Sequence, residues 1–373
     1  MNKGLRNELV TLLGLTAVGF VALRKPRAAI SFGVAAGALA VLAARKEVEF
    51  RQKSVVVTGG SRGLGLALAK ELVQEGAFVT LIARDTEELQ RAQKILLRER
   101  ADAKVLTISC DVTQEVEMQK SLDKVIATFG KIDILINNAG AILVGPFDSL
   151  KRQDFEAQME LHLYAVLKAV QLVLPHFRQR RQGHIVNICS MGGKVAVPHM
   201  LSYDTSKFAL AGFSQGIAAE LAHEGIKVTT VYPALMNTGS PIQAVFKGDH
   251  EKEYNWFATG DYFPGIAMPA PVAAKKILQA VRDGKAEFTP SGLGQMRMGV
   301  AAVFPEIMVA MMSIMNRLLP RGKGTAYRTG ADSRGNFEKK YWNGFLKKRA
   351  RVVEANLNQE PKTDAQFNVG LLY

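Results

Sequence analysis

Short β-branched runs alternate with stretches of helical periodicity between residues 54 and 289. Residues 54–58, 78–83, 105–109, 132–136, 184–189, 227–231 and 287–289 read as strands. The first is a short β-branched run, a buried strand by pattern. Residues 66–75, 86–100, 114–129, 155–177, 203–223 and 271–283 read as helices. This alternation predicts an α/β fold, a doubly wound parallel sheet with helices on both faces. Ligands of such sheets bind at the carboxyl ends of the strands.

The hydropathy pattern also sets off two flanking segments. Residues 9–23 and 28–44 are apolar and are split by Arg24-Lys25-Pro26-Arg27. Each run is shorter than the ~20 residues of a typical spanning helix. Two spans would carry the basic turn to the far side, against the positive-inside tendency. One span, or a hairpin in one leaflet, fits better. Residues 1–50 are therefore expected to attach the chain to a membrane, with a catalytic domain over residues 51–289 facing the cytoplasm. A signal peptide and partner-binding helices are the alternatives. Residues 290–373 form an extension. Its stretch 296–319 carries Met308, Met311, Met312 and Met315, a pattern of core, adaptable interface or membrane-facing helix. Pro305-Glu306 interrupts that stretch, which argues against a full span. The polar tail from Asn356 is expected to be loosely ordered.

Nearly half of the 373 residues are hydrophobic, enough for a large core, and the net charge is +14. Ten basic residues lie between 321 and 351, against Asp332 and Glu338. They form a solvated surface or a patch for anionic lipid headgroups. No nucleic-acid-binding motif accompanies them. Cys110 and Cys189 end apolar runs and read as buried thiols, and the six histidines show no metal-ligand spacing.

Candidate chemistry gathers at the strand ends. The first strand runs into Gly59-Gly60-Ser61-Arg62-Gly63-Leu64-Gly65 and then a helix, the context of a phosphate-binding βα turn. The second strand ends in Ala83-Arg84-Asp85. Arg84 and Arg62 could clamp a 2′-phosphate, so NADP(H) is favoured over NAD(H), and Asp85 could cap the next helix. Tyr203 and Lys207 lie four residues apart on one helix face. An ammonium ~4 Å from a phenol would lower its pKa by ~3 units from about 10.

With these motifs the chain resembles the short-chain dehydrogenase/reductase family over residues 51–289. The resemblance rests on Thr58-Gly59-xxx-Gly63-x-Gly65, on Asn137-Asn138-Ala139-Gly140, and on Ser190 thirteen residues before Tyr203-xxx-Lys207. It implies a Rossmann-like fold and an oxidoreductase. It implies that Asp111 and Val112 flank the adenine, that Asn138, Ala139 and Gly140 line the ribose side, and that residues Pro233 to Thr238 hold the nicotinamide amide. Ser190 is then expected to bind the substrate oxygen, Tyr203 to exchange its proton, and Lys207 to lower the Tyr203 pKa and hold the nicotinamide ribose. His162 stands where the family often has asparagine, and reads as a tolerated helix residue or a relay member that titrates near neutral pH. Ala234 replaces a common glycine.

Residues 141–146 and 235–268 should cover the substrate. Phe246, Tyr254, Trp256, Phe257, Tyr262 and Phe263 either pack this lid or line a pocket for a bulky lipophilic ketone, aldehyde or alcohol. The expected activity is NADP(H)-dependent carbonyl reduction or alcohol oxidation, with a homo-oligomer possible. The rival reading is a non-catalytic NADPH-binding scaffold or sensor.

Overall fold

The computed structural model describes residues 48–263, 265–334 and 344–362, together with six helical positions, Leu13, Thr16, Ile30, Ser31, Gly33 and Val34. The chain divides into two compact units, residues 1–48 with 282–284, and residues 49–281 with 285–373. In the first unit, the apolar runs expected to attach to a membrane lie largely outside the described residues.

The second unit is built on seven parallel strands, β1 (Ser54–Thr58), β2 (Phe78–Ala83), β3 (Lys104–Ser109), β4 (Ile134–Asn137), β5 (Gly183–Ile188), β6 (Ile226–Val231) and β7 (Glu287–Phe288). Their spatial order is β7-β6-β5-β4-β1-β2-β3. The order reverses between β1 and β4, which places a topological switch point at their carboxyl ends. Every residue of β1, β4 and β5 is buried, as befits the apolar-rich central strands of a parallel sheet.

Helices cover both faces: α1 (Gly63–Gln74), α2 (Thr86–Glu99), α3 (Glu115–Phe129), α4 (Arg152–Met159), α5 (Ala165–Arg180), α6 (Leu201–Leu221), α7 (His250–Tyr262) and α8 (Ala270–Arg282). The main core joins Val56, Leu135 and Ile185 of the sheet to Leu122, Val170, Phe177 and Leu210 of the helices. The single helix expected over 155–177 is instead α4 and α5 joined by a π-turn, Glu160–Tyr164. A π-turn inserts one residue into the helical ladder and is common at functional sites. Here it lies on the stretch that carries buried His162.

A side chain network braces the sheet beneath the site. Asn137 Nδ2 donates to Asn187 Oδ1 at 2.9 Å, and Asn187 Nδ2 donates to Ser214 Oγ at 2.8 Å. It ties β4 to β5 and β5 to α6, and all three residues are buried.

The extension forms α9 (Gly292–Val303), α10 (Pro305–Leu318) and α11 (Gly344–Asn356). No single described helix is long and apolar enough to cross a membrane. Together α9 and α10 are, but they meet at a bend of 118°. Pro305 is the first residue of α10, where its missing N–H costs nothing and where it stops α9 from continuing. The tail expected to be loose is docked over residues 357–362. Its backbone and side chains are fastened to the glycine turn, to α2 and to the segment after β6.

Candidate active site

Ser190, Tyr203 and Lys207 converge where β5 ends and α6 begins. Ser190 caps a single 3₁₀ turn, its Oγ accepting the Gly192 N–H at 3.0 Å. Tyr203 and Lys207 lie on the first two turns of α6, and the phenol is hydrogen-bonded to Ser190. Lys207 is buried, and its Nζ donates to the Ile188 carbonyl at 3.1 Å, 5.7 Å from the Tyr203 ring centre.

The electrostatics differ from the sequence expectation. Burial pushes the Tyr203 phenol above its ordinary value, and the hydrogen bond to Ser190 offsets only part of this. Burial also pushes the Lys207 ammonium down to about 8. Burial outweighs any help from Lys207, whose Nζ is engaged by the Ile188 carbonyl. Tyr203 is therefore a protonated phenol at neutral pH, the state of a proton donor.

His162 is fully buried. Its Nε2 accepts the Ala141 N–H at 3.2 Å, and its Nδ1 lies 2.8 Å from Ser206 Oγ. The Ser206 hydroxyl donates its proton to the Tyr203 carbonyl at 2.7 Å, so Nδ1 must be the donor to Ser206. The neutral Nδ1–H tautomer satisfies every partner. Burial, with Lys207 nearby, pushes the imidazole well below its usual value. This buried, neutral arrangement suits a bracing residue better than a relay member titrating near neutral pH, and the ring stands edge-on to Tyr203 with centroids 5.4 Å apart.

Sequence reasoning missed Asp204. This buried carboxylate accepts the Val197 N–H at 2.6 Å, and burial pushes it up to about 8. An aspartate in the first turn of a helix normally signals only a favourable dipole position. Nothing in the local sequence reveals its burial.

At the other end of the site, α1 begins at Gly63, earlier than the pattern suggested, so Leu64 and Gly65 lie inside the helix. The turn admits only glycine at its closest approaches. A Cβ on Gly65 would stand 2.2 Å from the Gly59 carbonyl oxygen, and one on Gly59 would stand 2.8 Å from Ala139 Cα. Asn138 fastens this turn, donating from Nδ2 to the carbonyls of Thr58 and Gly59 at 3.0 Å each. Thr58 Oγ1 accepts the N–H groups of Asn138 and Ala139. Gly140 packs against the His162 ring. Asp111 accepts from Thr113 at 3.0 and 2.8 Å, and Val112 packs on the core. Pro233 accepts the Met191 N–H at 2.8 Å, and Thr238 Oγ1 accepts the Ser240 N–H at 3.4 Å. The tight turn, together with an Arg62 N-cap that makes no side-chain bond to α1, fits a dinucleotide diphosphate at this helix end.

Arg62 does not stand free for a 2′-phosphate. It pairs at 2.7 Å with Glu88, which also accepts from Ser61 Oγ at 3.1 Å. Arg84 is pushed below its ordinary value by burial, which the charge of Asp111 opposes. Asp85 caps α2 as expected, accepting the Glu88 N–H at 2.9 Å. Glu88 itself was not singled out from sequence, although Asp85-x-x-Glu88 has the spacing of a capping box.

The lid aromatics turn inward. Phe246, Tyr254, Phe257 and Tyr262 form a second core with Ala350 of α11, and Trp256 packs against it. Phe263 alone is exposed. Of the two readings of these rings, lid packing describes all but Phe263. The wall beside Ser190 is built by Met191 and Val195, on which Met298, Met308 and Met312 pack.

A phosphate-binding βα turn and a Ser–Tyr–Lys set at the carboxyl edge of one parallel sheet define a nucleotide-dependent oxidoreductase. A family model described as short chain dehydrogenase matches residues 53–245. The chain is 36% identical over 190 residues to the oxidoreductase BOA17 of Botryotinia fuckeliana, covering 50% of this chain and 68% of that one. It is 31% identical over 251 residues to the 3-dehydrosphinganine reductase of Danio rerio, covering 66% and 74%. Among solved structures, a short-chain dehydrogenase from Streptomyces avermitilis superposes with a TM-score of 0.60 at 27% identity, covering 71% and 97%. A metagenomic short-chain oxidoreductase in complex with NADP gives 0.52 at 25%, covering 65% and 100%. One from Burkholderia phymatum in complex with NAD shares the fold at 21% identity, with a TM-score of 0.63, covering 70% and 96%. The chain belongs to the short-chain dehydrogenase/reductase family and is an oxidoreductase of that family.

Proposed function

We propose that this protein is an NADP(H)-dependent reductase of a bulky lipophilic ketone or aldehyde, working at a membrane surface. The observation that carries the chemistry is the convergence of Ser190, Tyr203 and Lys207 at the end of β5. NADPH, when bound, supplies the hydride. Ser190 donates a hydrogen bond to the carbonyl oxygen and stabilises its developing charge. Tyr203, kept protonated by burial, gives that oxygen its proton. Lys207 holds positive charge beneath the phenol and, on release from the Ile188 carbonyl, can hold the nicotinamide ribose. Arg84, close enough to Arg62 to feel its charge, supports the preference for a 2′-phosphate, and Arg62 can join it on release from Glu88.

Two observations support a lipophilic substrate. The wall beside Ser190 is methionine-rich, and the hairpin that supplies it has a second, uncovered face. Met308 and Met312 point inward, whereas Ile307, Met311, Ile314 and Leu318 form an exposed stripe along α10. Phe304, Val303 and Met296 extend it, and Arg317, Arg321 and Lys323 follow. An apolar stripe with a basic end suits an anionic leaflet. The 3-dehydrosphinganine reductase likeness agrees with a lipid-like substrate.

The test is NADPH consumption by the purified protein in detergent, against lipophilic ketones and aldehydes, with Tyr203→Phe alongside. Turnover in the wild type and a loss of roughly 10²–10⁴-fold in the variant are expected, with NADPH binding kept. Equal turnover in both would overturn the assignment.

A further inference from the structure

The C-terminal segment 357–362 lies on the phosphate-binding turn, nearly three hundred residues away in sequence. Leu357 places its carbonyl oxygen 3.0 Å from the Gly63 N–H, the first amide of α1. That amide belongs to the set that a diphosphate oxygen accepts from at a helix N-terminus. Asn358, at φ +57°, donates from Nδ2 to the carbonyls of Ser61 and Glu88 at 2.8 and 3.0 Å, and its Oδ1 accepts from Arg91 at 3.2 Å. Gln359 bridges the crevice. Its Nε2 donates to the Thr238 carbonyl at 2.9 Å, and a Cβ on Gly63 would meet that same nitrogen at 3.2 Å. Gln359 thus stands between α1 and the segment after β6, and its Oε1 is buried without a hydrogen-bond partner.

Charge follows the same pattern. Lys362 Nζ lies 2.6 Å from Asp85 and 2.9 Å from Glu88, beside the Arg62–Glu88 pair. Arg91 pairs with Glu360 at 2.9 Å, and Gln243 donates to the Glu360 carbonyl. The segment therefore supplies a carbonyl where a phosphate oxygen would sit, and it completes a set of ion pairs that ties up Arg62. The anchor of the segment is independent of these contacts, since Ala350, Leu346 and Val353 of α11 pack on the lid core.

We propose that residues 357–362 are an intramolecular competitor of the dinucleotide, a strap that must leave the glycine turn before the diphosphate can take it. The proposal rests on the reading of that turn as the cofactor site. α11 stays docked, and only six residues move. The affinity observed is then the intrinsic affinity multiplied by the fraction of molecules with the strap open. The strap makes cofactor loading dependent on whatever else engages the C-terminal segment.

The experiment measures NADPH and NADH binding by calorimetry on the detergent-solubilised full chain, on a chain ending at Asn356, and on the triple variant Asn358→Ala/Gln359→Ala/Lys362→Ala. The triple variant keeps the test valid if truncation disturbs α11. Both variants should bind about tenfold or more tightly than the wild type. Tryptic cleavage after Lys362 in the wild type should be slow without dinucleotide and fast with saturating NADPH. Unchanged or weaker binding in both variants overturns the strap and makes the segment a support of the cofactor site. Cleavage that NADPH slows overturns it as well. A wild type and variants that all fail to bind either dinucleotide overturn the cofactor-site reading, and the strap falls with it.

Discussion

The His162 imidazole donates to the Ser206 hydroxyl across 2.8 Å, and Ser206 in turn donates to the carbonyl of Tyr203. This chain positions the first turn of α6 through a neutral ring. His162→Asn should leave the pH–rate profile unchanged, because no titration is lost. It should cost about 1–3 kcal/mol of stability, since the Ala141 N–H loses its buried acceptor. Denaturant titration and a pH–rate series check both halves. A pH limb that moves in the variant would restore the relay.

Lys207 sets the alkaline limit. With its ammonium at about 8 in the ligand-free protein, kcat/KM for reduction should fall as pH rises through that value. Tyr203, raised above its ordinary value, contributes no limb at lower pH. The stability sign is opposite. A lysine whose folded pKa lies below its unfolded one favours folding at high pH, so this term weakens as pH falls from about 10 through 8. Lys207→Arg keeps its charge, and its residual rate should lose the limb near pH 8.

The proposed 2′-phosphate clamp is tested at Arg62 and Arg84. Arg84→Ala with Arg62→Ala should weaken NADPH binding by 10-fold or more, roughly the loss of one charge-assisted hydrogen bond, with little effect on NADH. Glu88 competes for Arg62 at 2.7 Å, so Glu88→Gln should shift the NADPH/NADH ratio upward. Parallel calorimetric titrations with the two dinucleotides report both effects. Equal losses for the two would remove the 2′-phosphate assignment.

The stripe on α10 gives a membrane prediction. Ile307→Glu with Ile314→Glu changes two exposed positions and leaves Met308 and Met312 against the Ser190 wall. In a chain lacking residues 1–46, flotation with vesicles of phosphatidylcholine and phosphatidylglycerol should be reduced at least several-fold by the pair. Reduction of a short, soluble ketone should persist. Flotation equal to the unsubstituted truncated chain would make the stripe an ordinary surface.

The sheet was legible in the chain because parallel strands buried on both faces favour short runs rich in β-branched and other apolar residues, and such runs survive in one dimension. The glycine turn and the Ser190, Tyr203 and Lys207 spacing were legible for a related reason, since each is set by a local strand-to-helix junction. Partners separated by long stretches of chain were not. The pairing of Arg62 with Glu88, the docking of Gln359 beside Gly63 and the inward turn of Tyr254 and Phe257 depend on contacts that no local pattern records. The proton affinities of Tyr203, Lys207 and Asp204 belong to the same class. Helical spacing fixed which groups were neighbours, but burial sets how costly their charges are, and burial exists only once the layers have packed.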